Sequence, residues 1–162
     1  MKKPNISNSN KLFNKAIKII PGGSQTFSKG PSQFTNNFAP KYLKKGKGCN
    51  VWDEDNNKFI DYVMACQPLI LGYADPDINR AVSKQLKIGS TFSLMNRLEI
   101  EVAELLVKHI PSAEMVRFGK NGGDATTIAI KIARAVTGRQ KVAFCGYHGW
   151  HDWFIASTDK SN

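Results

Sequence analysis

Apolar positions along the chain fall into a few periodic runs separated by polar or glycine-rich breaks. Leu12, Phe13, Ala16, Ile17, Ile19 and Ile20 share a helical period, which predicts a short amphipathic helix stopped by Pro21-Gly22-Gly23. The polar residues 1–11 read as loose, and residues 21–40, rich in Gly, Ser, Gln, Asn and Pro, read as an irregular extended segment. Val51 and Trp52 precede the polar stretch 53–57, and Phe59, Ile60, Tyr62 and Val63 follow it. That pattern predicts a β-hairpin, with Asp and Asn supplying the turn conformations. The apolar run 65–74 is expected to be a loop or a short buried segment.

Asp75-Pro76 is a helix start, with a capping carboxylate followed by proline at the first helical position. Ile78, Ala81, Val82 and Leu86 fall on one face, and Gly89 ends the run. A second helix is predicted over about 96–109, with Leu98, Val102, Leu105 and Leu106 as its stripe and Pro111 as its stop. The pattern then becomes α/β. Residues 114–118 and 141–145 read as short strands, 119–123 as a glycine-rich loop and 124–138 as a helix with Gly138 at its C-terminal cap. Residues 146–155 form an aromatic loop. No internal repeat is present.

The strand–loop–helix unit carries the candidate chemistry. Ligands of open α/β sheets bind beyond the carboxyl ends of the strands. There the loop offers Asn121, Gly122 and Gly123 ahead of a helix whose first N–H groups point outward. The helix dipole adds partial positive charge, so the arrangement suits an anion. The segment is neither a Walker A loop nor a GxGxxG loop, and Asp124 disfavours a polyphosphate. A single phosphate monoester fits; a plain strand-to-helix turn is the other reading of the same pattern. If the two strands are parallel, the aromatic loop opens on the same crevice, and Tyr147 could stack on a ligand ring. His148, His151 and Asp152 lack a third ligand type nearby for a metal site. Trp150 and Trp153 read as packing, and Cys145 as an inert core thiol.

Composition narrows the classes. The chain has 162 residues, 41% hydrophobic and 22% charged, in the range of one ordinary soluble domain. No apolar run approaches the roughly 20 residues of a membrane helix, and the basic start leads into no signal-like segment. Three cysteines, at 49, 66 and 145, make neither a disulfide framework nor a zinc site, and point to a reducing cytoplasm. The net charge of +10 is uneven: residues 1–58 hold eleven lysines against three acids, a net of +8. Lysine outnumbers arginine 18 to 5, which favours solvated surface over nucleic-acid readout. A basic nucleic-acid-binding module is the alternative that this charge leaves open.

The stretch from Met115 to Phe154, together with the segments IPGGSQTF, VWDEDNNKFIDYV and GYADPDI upstream, resembles the class-III aminotransferases. Within them it resembles the group containing glutamate-1-semialdehyde aminomutase. The resemblance covers nearly the whole chain. It implies an α/β, fold-type-I PLP-dependent transferase that is incomplete here. Residues 1–68 would be an N-terminal segment with a helix and hairpin, and 69–162 the first part of the large domain. It implies pyridoxal 5′-phosphate (PLP) as cofactor, with Asn121, Gly122 and Gly123 at the phosphate, Tyr147 against the pyridine ring and His148 beside it. It also implies a small-molecule amino donor and carbonyl acceptor, a homodimer, and no membrane partner. The Schiff-base lysine and the acid on the pyridine nitrogen would come downstream of residue 162, so no catalytic residue is assigned here and this chain alone would be inactive. A truncated paralogue that pairs with a complete subunit is a further alternative. Two departures stand out: the family often has Ser or Thr where Gly123 lies, and YHGWHDW replaces the YHGHAD typical of aminomutases. Two strands and their helices also could not cover both faces of a parallel sheet, so apolar faces would stay open.

Overall fold

The computed structural model describes residues 3–35 and 37–155. The chain forms two compact units, residues 1–91 and 92–162. The first holds helix α1 (Ser7–Ala16), strands β1 (Leu43–Lys47), β2 (Asn50–Asp53) and β3 (Lys58–Ile60), and helix α2 (Pro76–Leu86). The second holds α3 (Arg97–His109), α4 (Gly122–Thr137) and the single turn α5 (Asp152–Ile155).

The predicted hairpin is present as β2 and β3, with Val51 opposite Phe59. A third strand, β1, adds to it in the antiparallel order β1-β2-β3. Alternation along β2 turns Val51 (3% exposed) and Asp53 (0%) inward. The buried Asp53 carboxylate builds the turn: it accepts the backbone N–H of Asp55 at 3.0 Å and of Asn57 at 2.8 Å, and the Asn57 amide at 2.7 Å. Asn56 takes the left-handed conformation that this closure needs. Gly46 has no room for a side chain, because an added Cβ would lie 2.4 Å from the Tyr73 ring. Tyr73 also pairs with Gly48 through two backbone bonds of 2.8 and 2.9 Å.

The N-terminal segment corrects the expectation that residues 1–11 are loose; Met1 and Lys2 lie outside the described residues. The helix starts at Ser7 because Asp55 reaches it across the sequence. The carboxylate accepts Asn8 N–H at 2.9 Å, Ser9 N–H at 3.0 Å and the Ser7 hydroxyl at 3.3 Å. It thereby caps the helix N-terminus together with Asn5, whose Oδ1 accepts Ser7 N–H at 3.1 Å. Asn57 adds a 2.6 Å bond to the Asn5 carbonyl. The helix also ends early, at Ala16. Ile17, Ile19 and Ile20 are β-branched, and Pro21 holds Ile20 extended (φ −129°, ψ 119°), so tighter turns replace the last predicted turn.

Helices α2, α3 and α4 match the predicted spans within two residues. Asp75 accepts Asp77 and Ile78 N–H, each at 3.0 Å. Asn96 and Glu99 exchange bonds across the start of α3. Gly138 closes α4 at φ +68°. Their apolar stripes are exposed, with Ile78, Val82, Leu86, Leu98, Val102, Leu105, Ile132 and Val136 each open to solvent. The run 65–74 is a loop whose Ile70 and Leu71 are exposed, not a buried segment. Residues 114–118 and 141–145 carry no strand ladder among the described residues, contrary to expectation. A strand exists only through its hydrogen-bonded neighbour, and these two segments do not pair with one another.

Partial desolvation raises the Asp55 pKa, but the Asn8 and Ser9 N–H bonds, the Ser7 hydroxyl and the Lys11 charge outweigh it. The carboxyl is therefore held below its ordinary value of 3.8. A lowered folded-state pKa gives stability that is present above the unfolded value and lost as pH falls through the folded one. Amide protection at Asn8 and Ser9 should therefore persist at neutral pH and collapse below about pH 4. In Asp55→Ala it should be about tenfold lower at neutral pH. Hydrogen exchange read by NMR or mass spectrometry checks both.

Candidate cofactor site at the start of helix α4

The site is built on the first turn of α4. Asn121, extended at φ −144° and ψ 173°, caps the helix by accepting Asp124 N–H at 3.1 Å. Asp124 returns the bond, accepting Asn121 N–H at 3.2 Å. Ala125 N–H goes to the Asn121 carbonyl at 3.2 Å. The N–H groups of Gly122 and Gly123 are left, and among the described residues neither has an acceptor. A Cβ at Gly122 would meet nothing within 4 Å, so the space on the side-chain side of that residue is open. Two free donors, an open approach and the positive end of a helix dipole together suit a phosphate-sized anion.

The aromatic loop is seated on this same turn. Gly149, buried and at φ +113°, lies against Gly123, where a Cβ would be 3.1 Å from the Gly123 Cα. The Thr126 hydroxyl is 2.9 Å from the His148 carbonyl and 3.0 Å from that of Gly123. The Trp153 indole N–H donates to the Thr127 hydroxyl at 2.9 Å. Phe154, 5% exposed, is the centre of an aromatic cluster with Phe144, Tyr147, His148 and Trp153 at ring-centroid distances of 5.0–5.9 Å. Tyr147 presents its other surface to solvent (77% exposed). The His148 Nε2 is 2.7 Å from the Cys145 carbonyl, which fixes the ring. Cys145 is exposed, not the core thiol expected of a buried strand end.

All five candidate residues, Asn121, Gly122, Gly123, Tyr147 and His148, thus belong to one helix start and the loop docked on it. Sequence reasoning missed Thr126 and Thr127. Neighbouring hydroxyls in the first turns of a helix are the available signal, since they can bond outward or back to carbonyls. It also did not place His151, whose Nε2 is 3.5 Å from the Asp124 carboxylate. In the N-terminal unit a cleft of about 440 Å³ lies beside Trp52, Leu71 and Tyr73. Its one carboxylate, Asp75, is already spent on capping α2.

The family model for class-III aminotransferases matches residues 33–162. The chain belongs to the class-III aminotransferase family. It is 45% identical to the glutamate-1-semialdehyde 2,1-aminomutase of Methanobrevibacter smithii over 93% of its own length and 35% of that protein's. It is 40% identical to the 3-aminobutyryl-CoA aminotransferase of Cloacimonas acidaminovorans, over 93% and 36%. Among solved structures it is similar to the FumI protein of Sphingopyxis sp. MTA144 in a PLP-containing form, with 33% identity, a TM-score of 0.83, and coverage of 90% of this chain and 35% of that one. The chain therefore spans about a third of the length of the relatives it matches. The fold is an incomplete fold-type-I PLP transferase, and the family's cofactor is PLP. A monophosphate on an aromatic ring fits the chemistry of the site: two free backbone donors for the phosphate and an exposed tyrosine ring on the adjoining loop.

The loop's seat should be sensitive to small changes. Gly149→Ala forces a Cβ against Gly123 at an unfavourable φ and should cost about 1–3 kcal/mol of stability. Thr126→Val keeps the shape but takes the hydroxyl donor away from the His148 carbonyl, and should cost about 1 kcal/mol. Chemical denaturation of the full-length protein measures both.

Proposed function

We propose that this chain contributes the cofactor-phosphate and ring-wall part of a PLP-dependent enzyme that moves an amino group. The reaction is either transfer from a small-molecule amine to a carbonyl acceptor or a shift within one molecule. The observation that carries the reading is the pair of unpartnered N–H groups at Gly122 and Gly123, with the aromatic loop held over that turn. When bound, PLP supplies the electron sink that lets bonds at an amine-bearing carbon ionise. The residues of this chain hold it. Gly122 and Gly123 donate to the phosphate, Asn121 fixes the turn that aims them, Tyr147 lies along one ring face, and His148 braces that wall. The relatives' names span an aminomutase and an acyl-CoA aminotransferase, so the class of substrate stays at amine and carbonyl.

The exposed stripes of α2, α3 and α4 support a larger whole, because unpartnered apolar faces of this kind call for covering elements. The complete enzyme is read as a homodimer working in the cytoplasm. Residues 1–162 by themselves are expected to give no amine-dependent turnover, since the lysine that such chemistry needs is read as lying downstream. Spectrophotometric assay of the purified segment checks this, and measurable turnover would refute it.

Gly122→Pro tests the phosphate seat directly. Proline is tolerated at the first helical position and suits the extended Asn121 before it, but it has no N–H. The variant of the full-length protein should keep its fold and bind PLP about tenfold more weakly, the loss of one hydrogen bond to a charged group. Pyridoxal, which lacks the phosphate, should bind as before. Equal effects on both ligands, or none, would remove the assignment.

A further inference from the structure

Residue 123 has no side chain, and the space where one would project is occupied. A Cβ built there would lie 3.0 Å from Cδ2 and 3.1 Å from Nε2 of His151. The imidazole thus stands on the helix turn in the place of a residue-123 side chain, at the residue that carries one of the two free N–H groups. Its Nε2 is also 3.5 Å from the Asp124 Oδ1. Asp124 is needed for the capping box, yet it puts a carboxylate in the first turn, next to where a phosphate would add further negative charge. The loop that carries His151 cannot shift freely, because Gly149 rests on Gly123 and Trp153 is bonded to Thr127. Gly149 and Trp153, two positions before and after His151, are thereby tied to α4, and the ring is delivered to this turn by the fold.

We infer that His151 completes the phosphate seat: its imidazole fills the side-chain position that Gly123 vacates, lies against the Asp124 carboxylate and helps hold the cofactor phosphate. This rests on the reading of the α4 start as that seat, and it adds a residue and a reason for Gly123. Glycine at 123 serves twice, as a free N–H donor and as the room into which the histidine ring fits. Any larger residue at 123 would have to displace the ring or be displaced by it.

The test compares PLP with pyridoxal, titrated against the full-length apoprotein by absorbance and fluorescence. The ratio of their affinities isolates the phosphate's share. His151→Ala should lower that ratio about tenfold and move the ³¹P resonance of bound PLP, while pyridoxal affinity is unchanged. His151→Gln, which keeps a side-chain N–H, should recover most of the ratio. Gly123→Ala should lower it as His151→Ala does, because the new Cβ pushes into the ring; this variant keeps the inference falsifiable if His151→Ala fails to fold. A ratio within twofold of wild type in the folded variants, with the ³¹P resonance unmoved, overturns the role of His151 and leaves the phosphate seat standing. A wild-type protein that binds PLP no better than pyridoxal overturns both.

Discussion

Backbone N–H groups that no main-chain carbonyl can reach are the constraint around which this chain is organised. Few apolar side chains are buried among the described residues: Ile6, Ala16, Val51 and Phe154. Local structure therefore leans on side-chain acceptors. Asp53 gathers the N–H groups of its own turn, Asp55 those of α1, Asp75 those of α2, and Asn96 that of Leu98 in α3. Each bond to a carboxylate is charge-assisted and stronger than a neutral one. Helix α4 follows the same rule with a reciprocal Asn121–Asp124 box, and then departs from it. Two donors remain among the described residues, at the two residues without side chains.

The apolar stripes carry a different lesson. Periodicity names the face of a helix that avoids water; it does not name what covers that face. Ile78, Val82 and Leu86 on α2, and Leu98, Val102 and Leu105 on α3, fall on one face each, as the spacing requires, and stay exposed. The two segments of strand composition, 114–118 and 141–145, have the same difficulty. A parallel strand is buried on both faces and bonded on both edges, so its sequence can be right while its structure waits on neighbours. Spanning a third of its relatives' length, the chain has fewer neighbours to offer.

What was legible in the sequence was therefore local. The Asp75-Pro76 start, the Gly138 stop and the hairpin over 50–60 depend on residues a few positions apart, and all three are present. The start of α1 was not legible, because two of its N–H groups, at Asn8 and Ser9, are accepted by Asp55, nearly fifty residues away. The third strand was missed for a related reason: Leu43–Lys47 is mostly lysine and glycine and has no alternating apolar signal to read. In the candidate site, the glycines and aromatics declared themselves by composition. The threonines that dock the loop, and the histidine that fills the space at Gly123, are visible only once Gly149 is seen to rest on Gly123.

The segment after β3 shows how far long-range anchoring can override local preference. Met64, Ala65, Cys66 and Gln67 all have positive φ, between 49° and 78°. None is glycine, and each left-handed residue costs roughly 1–2 kcal/mol. Such a turn holds only if its ends are fixed. Asp61 fixes the entrance, accepting Val63 N–H at 2.8 Å and Met64 N–H at 3.2 Å, and its second oxygen accepts the Tyr73 hydroxyl at 2.6 Å. The Tyr73–Gly48 backbone pair fixes the exit. Burial and the Asp61 bond push the Tyr73 phenol up to about 12. Burial opposes ionisation of Asp61, but that bond and the backbone N–H groups hold its carboxyl below the ordinary range. The ionised acid and the neutral phenol therefore coexist across all ordinary pH, and the clamp does not loosen with it. One carboxylate thus ties both ends of the loop, and a backbone that the residues alone would not choose becomes the one the fold imposes.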